Sequence, residues 1–429
     1  VANSLRTAWL VVVLLWPVAL LNYLDRQMLA AMKTSVTTDI PSIASETDWG
    51  TLLAAFKWVY AAFSPIGGYI ADRFSRRGII LGSLFIWSAV TWATGHCRTY
   101  DEMLLTRGLM GISEAFYIPA ALALIADFHS GATRSRAVGV HQMAIYAGVM
   151  VGGFSGYAAD APSLGWRWAF SAAGTAGILY TLPLLWLLPA PPRAAREVSP
   201  DRRTSPLAVS LELMSNANFL LLVACFTLPA LAGWVVKDWM PATLKEQLQI
   251  SQGAAGVTAT LAPNVAALLG AAFGGWLADR WMHRSIRGRT FVSALGIGLL
   301  IPALLAVSFA HSIPAAAAIL AVFGFGWGLF DCNNMPILAQ IVRPQLRATG
   351  YGIMNLISIS CGGGADYGFG LLRDLRVPLP MIFGLFAAVA LLSVLAMLRI
   401  RPRPELVRLE SQGVEEWEAG SPPAAPAQR

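Results

Sequence analysis

Apolar residues run along this chain in blocks of roughly 20, the length a bilayer core demands of a helix, with short polar breaks between them. Such blocks lie near 8–32, 50–71, 78–97, 103–127, 136–159, 167–188, 218–241, 253–278, 290–310, 315–341, 348–371 and 378–398. The pattern predicts an all-α membrane protein with twelve transmembrane helices in two six-helix bundles, 1–188 and 216–400. Between them, 189–215 mixes Pro, Arg, Glu and Ser and reads as a cytoplasmic linker, while 401–429 reads as a disordered cytoplasmic tail. The first block carries Asn22, Asp25 and Arg26 and lacks a clear cleavage site, so it reads as a first span and not a signal peptide.

Composition narrows the class. With 56% hydrophobic and 13% charged residues over 429 positions, and a mean hydropathy of +0.58, the chain lies far from a soluble domain. Basic residues are strongly one-sided. Outside the spans, Lys33, Arg98, Arg167, Lys245, Arg373 and Arg376 fall on one set of loops, and all the rest fall on the other set with both termini. The positive-inside rule then makes both termini cytoplasmic, in what is expected to be a bacterial inner membrane. The net charge of +7 is accounted for by topology and anionic lipid, without nucleic acid. Cys97, Cys225, Cys332 and Cys361 have no paired spacing and read as small core residues.

Two stretches are near copies: Gly67-Gly68-Tyr69-Ile70-Ala71-Asp72-Arg73 and Gly274-Gly275-Trp276-Leu277-Ala278-Asp279-Arg280. Glycines let a helix end approach its neighbour, and the basic residues stay in water at an anionic leaflet. A second pair, Arg136-Ala137-Val138-Gly139 and Arg347-Ala348-Thr349-Gly350, opens the fifth and eleventh spans. Duplication follows, and Asp72, Arg73, Arg136, Asp279 and Arg280 are the candidate gate residues.

Twin six-helix halves with paired basic loops resemble the major facilitator superfamily of transporters over about 1–400. Within it, Asn22-Tyr23-Leu24-Asp25-Arg26 and Arg107-Gly108-Leu109-Met110-Gly111-Ile112-Ser113-Glu114-Ala115 resemble the organic anion:cation symporters, which include sugar-acid permeases and sialin. The same segments, with Ile125-Ala126-Asp127-Phe128, also resemble the spinster transporters of lysolipids and related amphiphiles. The resemblance implies two halves rocking about a central site. It further implies that Asp25 and Glu114 handle protons and that Tyr23, Arg26, Tyr60 and Asn355 line a substrate site.

Physical reasoning on the intramembrane charges runs alongside. A charge at a helix centre costs about 2.5–3.5 kcal/mol on insertion scales, so Asp25, Arg26, Lys57, Arg107, Glu114, Lys237 and Asp331 should face a polar cavity or one another. Arg107 and Glu114 are seven apart and share a helix face. With Asp25 they form the candidate proton-coupling group, because a carboxylate that gains or loses a cation between two conformations links protonation to the conformational equilibrium. A static ion-pair network joining spans 1 and 4 is the alternative.

For cargo, Arg26 can hold a carboxylate with two parallel N–H bonds, and Lys57 adds positive potential. Tyr23 and Tyr60 share stripes with these cations, as ligand contacts or as plain packing. Span 10 reads Phe330-Asp331-Cys332-Asn333-Asn334-Met335-Pro336, where sugar-acid permeases usually offer hydroxyls and a Trp. Asp331, Asn333 and Asn334 can bond a polyol, or satisfy carbonyls freed by Pro336. Lys237 and Asp238 read as an ion pair near the outer end of span 7 or as substrate contacts, His141 as a structural residue or a proton relay, and Trp234, Trp239 and Trp327 as cavity wall or interfacial belt.

Enzymatic parts are missing. Gly362-Gly363-Gly364 lies in an apolar span with no phosphate-loop Lys-Ser/Thr after it, and no His/Cys/carboxylate cluster has metal spacing, so neither cofactor nor metal is expected. The expected function is proton-coupled symport of a small organic anion, a sugar acid or other monocarboxylate, by a monomer among membrane lipids. A spinster-like carrier of lysolipids or amphiphiles, or a drug exporter, is the alternative.

Overall fold

The structure is a computed structural model that describes residues 2–129, 131–190, 206–343 and 346–407. The expected linker and tail fall mostly outside these residues.

In the first half, the described residues form α1 (Ala2–Ala31), α2 (Lys33–Asp39), α3 (Glu46–Arg73), α4 (Arg76–Thr94), α5 (Tyr100–Ala115), α6 (Tyr117–Phe128), α7 (Gly131–Gly153), α8 (Ser155–Asp160) and α9 (Gly165–Leu187). The second half follows with α10 (Pro206–Met214), α11 (Ala217–Leu248), α12 (Gln252–Met282), α13 (Gly288–Val307), α14 (Ile313–Asp331), α15 (Asn334–Ile341), α16 (Arg347–Asp374) and α17 (Leu379–Met397). Among the described residues, ten helical stretches are long and apolar enough to cross a membrane. The other two expected spans, 50–71 and 348–371, coincide with α3 and α16, which are 28 residues each but more polar.

Local chemistry explains several boundaries. Pro119 cannot donate to the carbonyl four residues earlier, and α5 ends at that residue, Ala115. Pro336 stands likewise just beyond the break between α14 and α15, at Cys332 and Asn333. Ser45 and Asp48 form a capping box at the start of α3, and Thr99 and Glu102 do the same for α5.

The duplication is also visible in three dimensions. Arg134 donates to the carbonyls of His129 and Ala126 at the end of α6, and Arg347 donates to those of Val342 and Ala339 at the end of α15. Arg77 bonds the Leu185 carbonyl near the end of α9, as Arg287 bonds that of Leu398 after α17. The counterpart of Arg347 in the first half is therefore Arg134, whereas the repeated motif sets it against Arg136, which is exposed.

Both ends of the chain's helical part lie at one end of the bundle, here the terminal end, and the opposite end is the far end. Toward the far end a single apolar cluster runs across both halves, from Leu52, Trp49 and Trp166 to Trp239, Phe369 and Phe383. Toward the terminal end the packing divides in two. Val11, Leu15, Trp87 and Tyr117 pack within the first half, and Phe219, Ile297, Phe330 and Ile337 within the second. The halves are thus joined at the far end and separate toward the terminal one.

Candidate functional site

The far-end seam is built by α3 against α16 and by α7 and α8 against α12. Backbones come unusually close there. A Cβ on Gly50 would stand 2.6 Å from the Asp366 carbonyl oxygen, and one on Gly370 would stand 2.3 Å from that of Glu46. At the rim Asp374 accepts from the backbone N–H of Glu46 at 3.0 Å and of Thr47 at 2.8 Å, capping α3 from the other half. Its slight burial favours the neutral acid, but the Thr47 hydroxyl and these amides outweigh it and hold the carboxyl below the ordinary aspartate value. Lys33 pairs with Glu46, and Arg373 reaches Glu246 at 2.7 Å. Gln252 bonds Ser35 at 2.6 Å and Asp160 at 3.1 Å, joining α12 to the first half.

Below this seam lies a cavity of about 310 Å³ between the halves. Its polar wall is made by Tyr23, Arg26, Gln27, Tyr60, Gln142, Tyr146, Lys237, Asp331 and Asn355. Ile145, Val149, Phe226, Phe323 and Ile359 line the cavity as well, and Trp234 and Trp327 add aromatic faces. That size and mixture suit a small organic ligand or one part of a larger one.

Arg26 is the most constrained side chain at the site. Its Nε donates to Glu114 at 2.6 Å and its Nη2 to Asn22 at 3.2 Å. The guanidinium carbon also lies 4.6 Å from the ring centroids of Tyr23 and Phe56 and 4.9 Å from that of Tyr60. Aromatic faces stabilise a partly desolvated cation by about 0.5–2 kcal/mol each, which offsets part of the cost of its burial. Glu114 is fully buried, and its second oxygen has no partner.

Asp25, also buried, accepts from the Thr91 hydroxyl at 2.8 Å and has one free oxygen. Arg107 is buried with Nε and Nη2 unpartnered, beside a small second cavity that it shares with Arg26, Lys57, Lys237 and Asp238. The three expected proton-handling residues thus lie close to Arg26, with hydrogen-bonding capacity to spare.

Lys57 is placed differently from the expectation. It lies outside the main cavity wall and is ion-paired with both Asp238 of α11 and Asp366 of α16. Lys237 does not pair with Asp238. Its ammonium lies 5.0 Å from the Tyr23 ring centroid and 5.2 Å from that of Trp234, on the cavity wall. Asn333 and Asn334 are buried away from the cavity. Asn333 donates at 2.9 Å to the Leu329 carbonyl in the broken turn before Pro336, and Asn334 donates at 3.2 Å to Asp331, which itself opens on the cavity. Tyr23, Arg26, Tyr60 and Asn355 do line the cavity. His141 bonds the Tyr117 hydroxyl at 3.0 Å within the first-half core.

Of the expected gate residues, Arg73, Arg136, Asp279 and Arg280 are exposed, and no described residue of the opposite half bonds them. Arg73 stacks on Tyr69 at 4.2 Å. The side chain of Asp72 lies outside what the structure describes. Sequence reasoning missed Gln27, Tyr146 and Asp366. An acid inside a Gly-rich apolar span, Gly362-Gly363-Gly364-Ala365-Asp366, was the available signal for the last.

Residues 15–365 match the family model described as the Major Facilitator Superfamily. The chain is 27% identical over 396 residues to protein spinster homolog 1 of Xenopus tropicalis, covering 86% of this chain and 74% of that protein. Against protein spinster homolog 1 of Homo sapiens it is 28% identical over 400 residues, covering 86% and 73%. Against the sphingosine-1-phosphate transporter SPNS2 of Mus musculus it is 27% identical over 377 residues, covering 83% and 68%. Among solved structures, a bacterial homolog of the human lysosomal transporter spinster, inward-facing and unoccupied, superposes with a TM-score of 0.76 at 20% identity, covering 93% of this chain and 99% of that one. The last likeness shows the shared fold.

Proposed function

The chain belongs to the Major Facilitator Superfamily and is an integral membrane transporter with spinster-like features; from that premise we propose that it carries an amphiphile with an anionic headgroup by alternating access, coupled to protons. The observation that carries the reading is the mixed lining of the cavity. Arg26 and Lys237 line it as cations for a headgroup, together with Ile145, Val149, Phe226, Phe323 and Ile359 as apolar contacts for a tail. The spinster relatives, one of them named for sphingosine-1-phosphate, support a lipid-like cargo over the expected sugar acid.

In this reading α3 and α16 also cross the bilayer, making twelve spans with both termini cytoplasmic. The far end is then external and closed, and the cavity belongs to an inward-facing state. An incoming headgroup competes with Glu114 for Arg26. The released carboxylate, deprived of its cation in a dry site, takes up a proton, and water reaching the free oxygen of Asp25 beside it provides the path by which that acid exchanges its own. Arg107 holds positive potential over both acids. The terminal-end residues Asp72, Arg73, Arg136, Asp279 and Arg280 meet across the halves only when that end closes.

A small organic anion is the second reading, favoured by Tyr23, Tyr60, Asn355 and Arg26 all lining the one cavity. Proteoliposomes with an imposed pH gradient decide between the two. Lysophospholipid or sphingoid-phosphate flux that follows the gradient is the expected result. Uptake of a sugar acid or monocarboxylate without lipid flux selects the second reading, and flux indifferent to the gradient removes the proton coupling.

A further inference from the structure

Lys57, Asp238 and Asp366 form a charged cluster that the transport cycle above leaves unused. Three helices and both halves contribute: Lys57 comes from α3, Asp238 from α11 and Asp366 from α16. All three residues are buried, and Lys57 is 3% exposed. The single ammonium contacts one oxygen of each carboxylate, while the second oxygen of Asp366 has no donor. Other charges lie nearby but are engaged elsewhere. Arg26 is spent on Glu114, Lys237 lies against the Tyr23 and Trp234 rings, and Arg107 faces the small cavity without bonding either acid. Two carboxylates therefore share one counter-charge in a dry seam.

We infer that the Asp238–Asp366 pair is a proton-binding site, separate from Asp25 and Glu114, that controls the parting of the halves at the far end. Closure needs both acids ionised around Lys57. Parting the halves carries Lys57 away with α3 and leaves the two acids of the second half beside each other without a bonded cation, since Lys237, the one described cation that travels with them nearby, lies against Trp234 and pairs with neither. Neighbouring carboxylates so stranded cannot both stay charged, so the parted state binds one proton that the closed state does not. Linkage fixes the sign: acid favours parting and alkali favours closure. A single linked proton can change the ratio of the two states by at most about tenfold per pH unit.

The site rests on the alternating-access reading but not on any cargo, so its test uses no substrate. Nitroxide labels on Asp101→Cys and His311→Cys, exposed far-end positions on opposite halves, report the gap by pulsed electron resonance across pH in a variant with the four native cysteines replaced. The expected result is a pH-dependent rise in the parted population on acidification. Asp366→Asn should populate the parted state at neutral pH and flatten the response, and Asp238→Asn should repeat this should the first variant not fold. An Asp25→Asn/Glu114→Gln protein should keep the response, even where it has lost proton-driven transport. A parent gap that ignores pH, or an Asp366→Asn and Asp238→Asn response that tracks the parent, overturns the inference.

Discussion

At position 26 one guanidinium answers to a carboxylate, an amide oxygen and three aromatic rings at once. A lysine there keeps the charge but loses the planar fork that bonds and stacks together. Arg26→Lys should therefore weaken binding of an anionic-headgroup ligand about tenfold or more, and Arg26→Ala further, as read by ligand-dependent thermal shift of purified protein. Glu114→Gln is isosteric but cannot exchange a proton. It should abolish concentrative uptake under a pH gradient while sparing exchange of labelled for unlabelled cargo; a variant that still concentrates solute removes Glu114 from coupling. Much of this was legible in the sequence, because charges stranded in apolar runs announce themselves one by one. Their pairing was not. Lys57 meets acids 181 and 309 positions away, and no local spacing tells that Asp238 turns to Lys57 instead of its own neighbour Lys237.

Among the helices, α3 and α16 combine polarity with close backbone approach. Gly370→Ala places a methyl against the Glu46 carbonyl, which cannot yield without separating the two backbones. The variant should shift the far-end gap toward the parted state and raise the accessibility of an engineered thiol at Thr51 to a membrane-impermeant reagent. Asp374 caps α3 only as a carboxylate, and its proton affinity is depressed by the bonds it accepts. Its contribution to closure is therefore complete above the ordinary aspartate value of 3.8 and is lost as pH falls through the depressed one. Asp374→Asn should reproduce the acid effect at neutral pH, measured by the same thiol. Helix identity was readable from apolar length, since each expected span meets a helix. The breaks at Phe116 and Asn333 were not read, although Pro119 and Pro336 stand just after them.

Over the whole molecule, one core is shared at the far end and two separate cores stand at the terminal end, so the proposed alternating access requires the halves to turn about a seam that must itself open. A disulfide from Thr47→Cys and Asp374→Cys, whose parent residues bond across that seam, should halt transport on oxidation and restore it on reduction. Turnover that continues with the bridge formed rules out parting of the far end. The two-half architecture was plain from the repeated loops, while the openness of one end was invisible, because closure depends on which faces meet and not on which residues occur. The polarity of α3 and α16 also bears on how the protein is made. With α3 crossing the bilayer as proposed, Lys57 enters the lipid phase as the chain is synthesised, long before its acidic partners exist. At roughly 5–20 residues per second, the 181 positions to Asp238 take roughly 10–40 s, and Asp366 follows later still. During that interval α3 has to shelter its ammonium against the first-half helices already inserted or against the translocation machinery. Replacing Asp238 and Asp366 together should then leave a finished chain whose α3 was never secured, and quality-control proteases would register the defect before any assay of transport could.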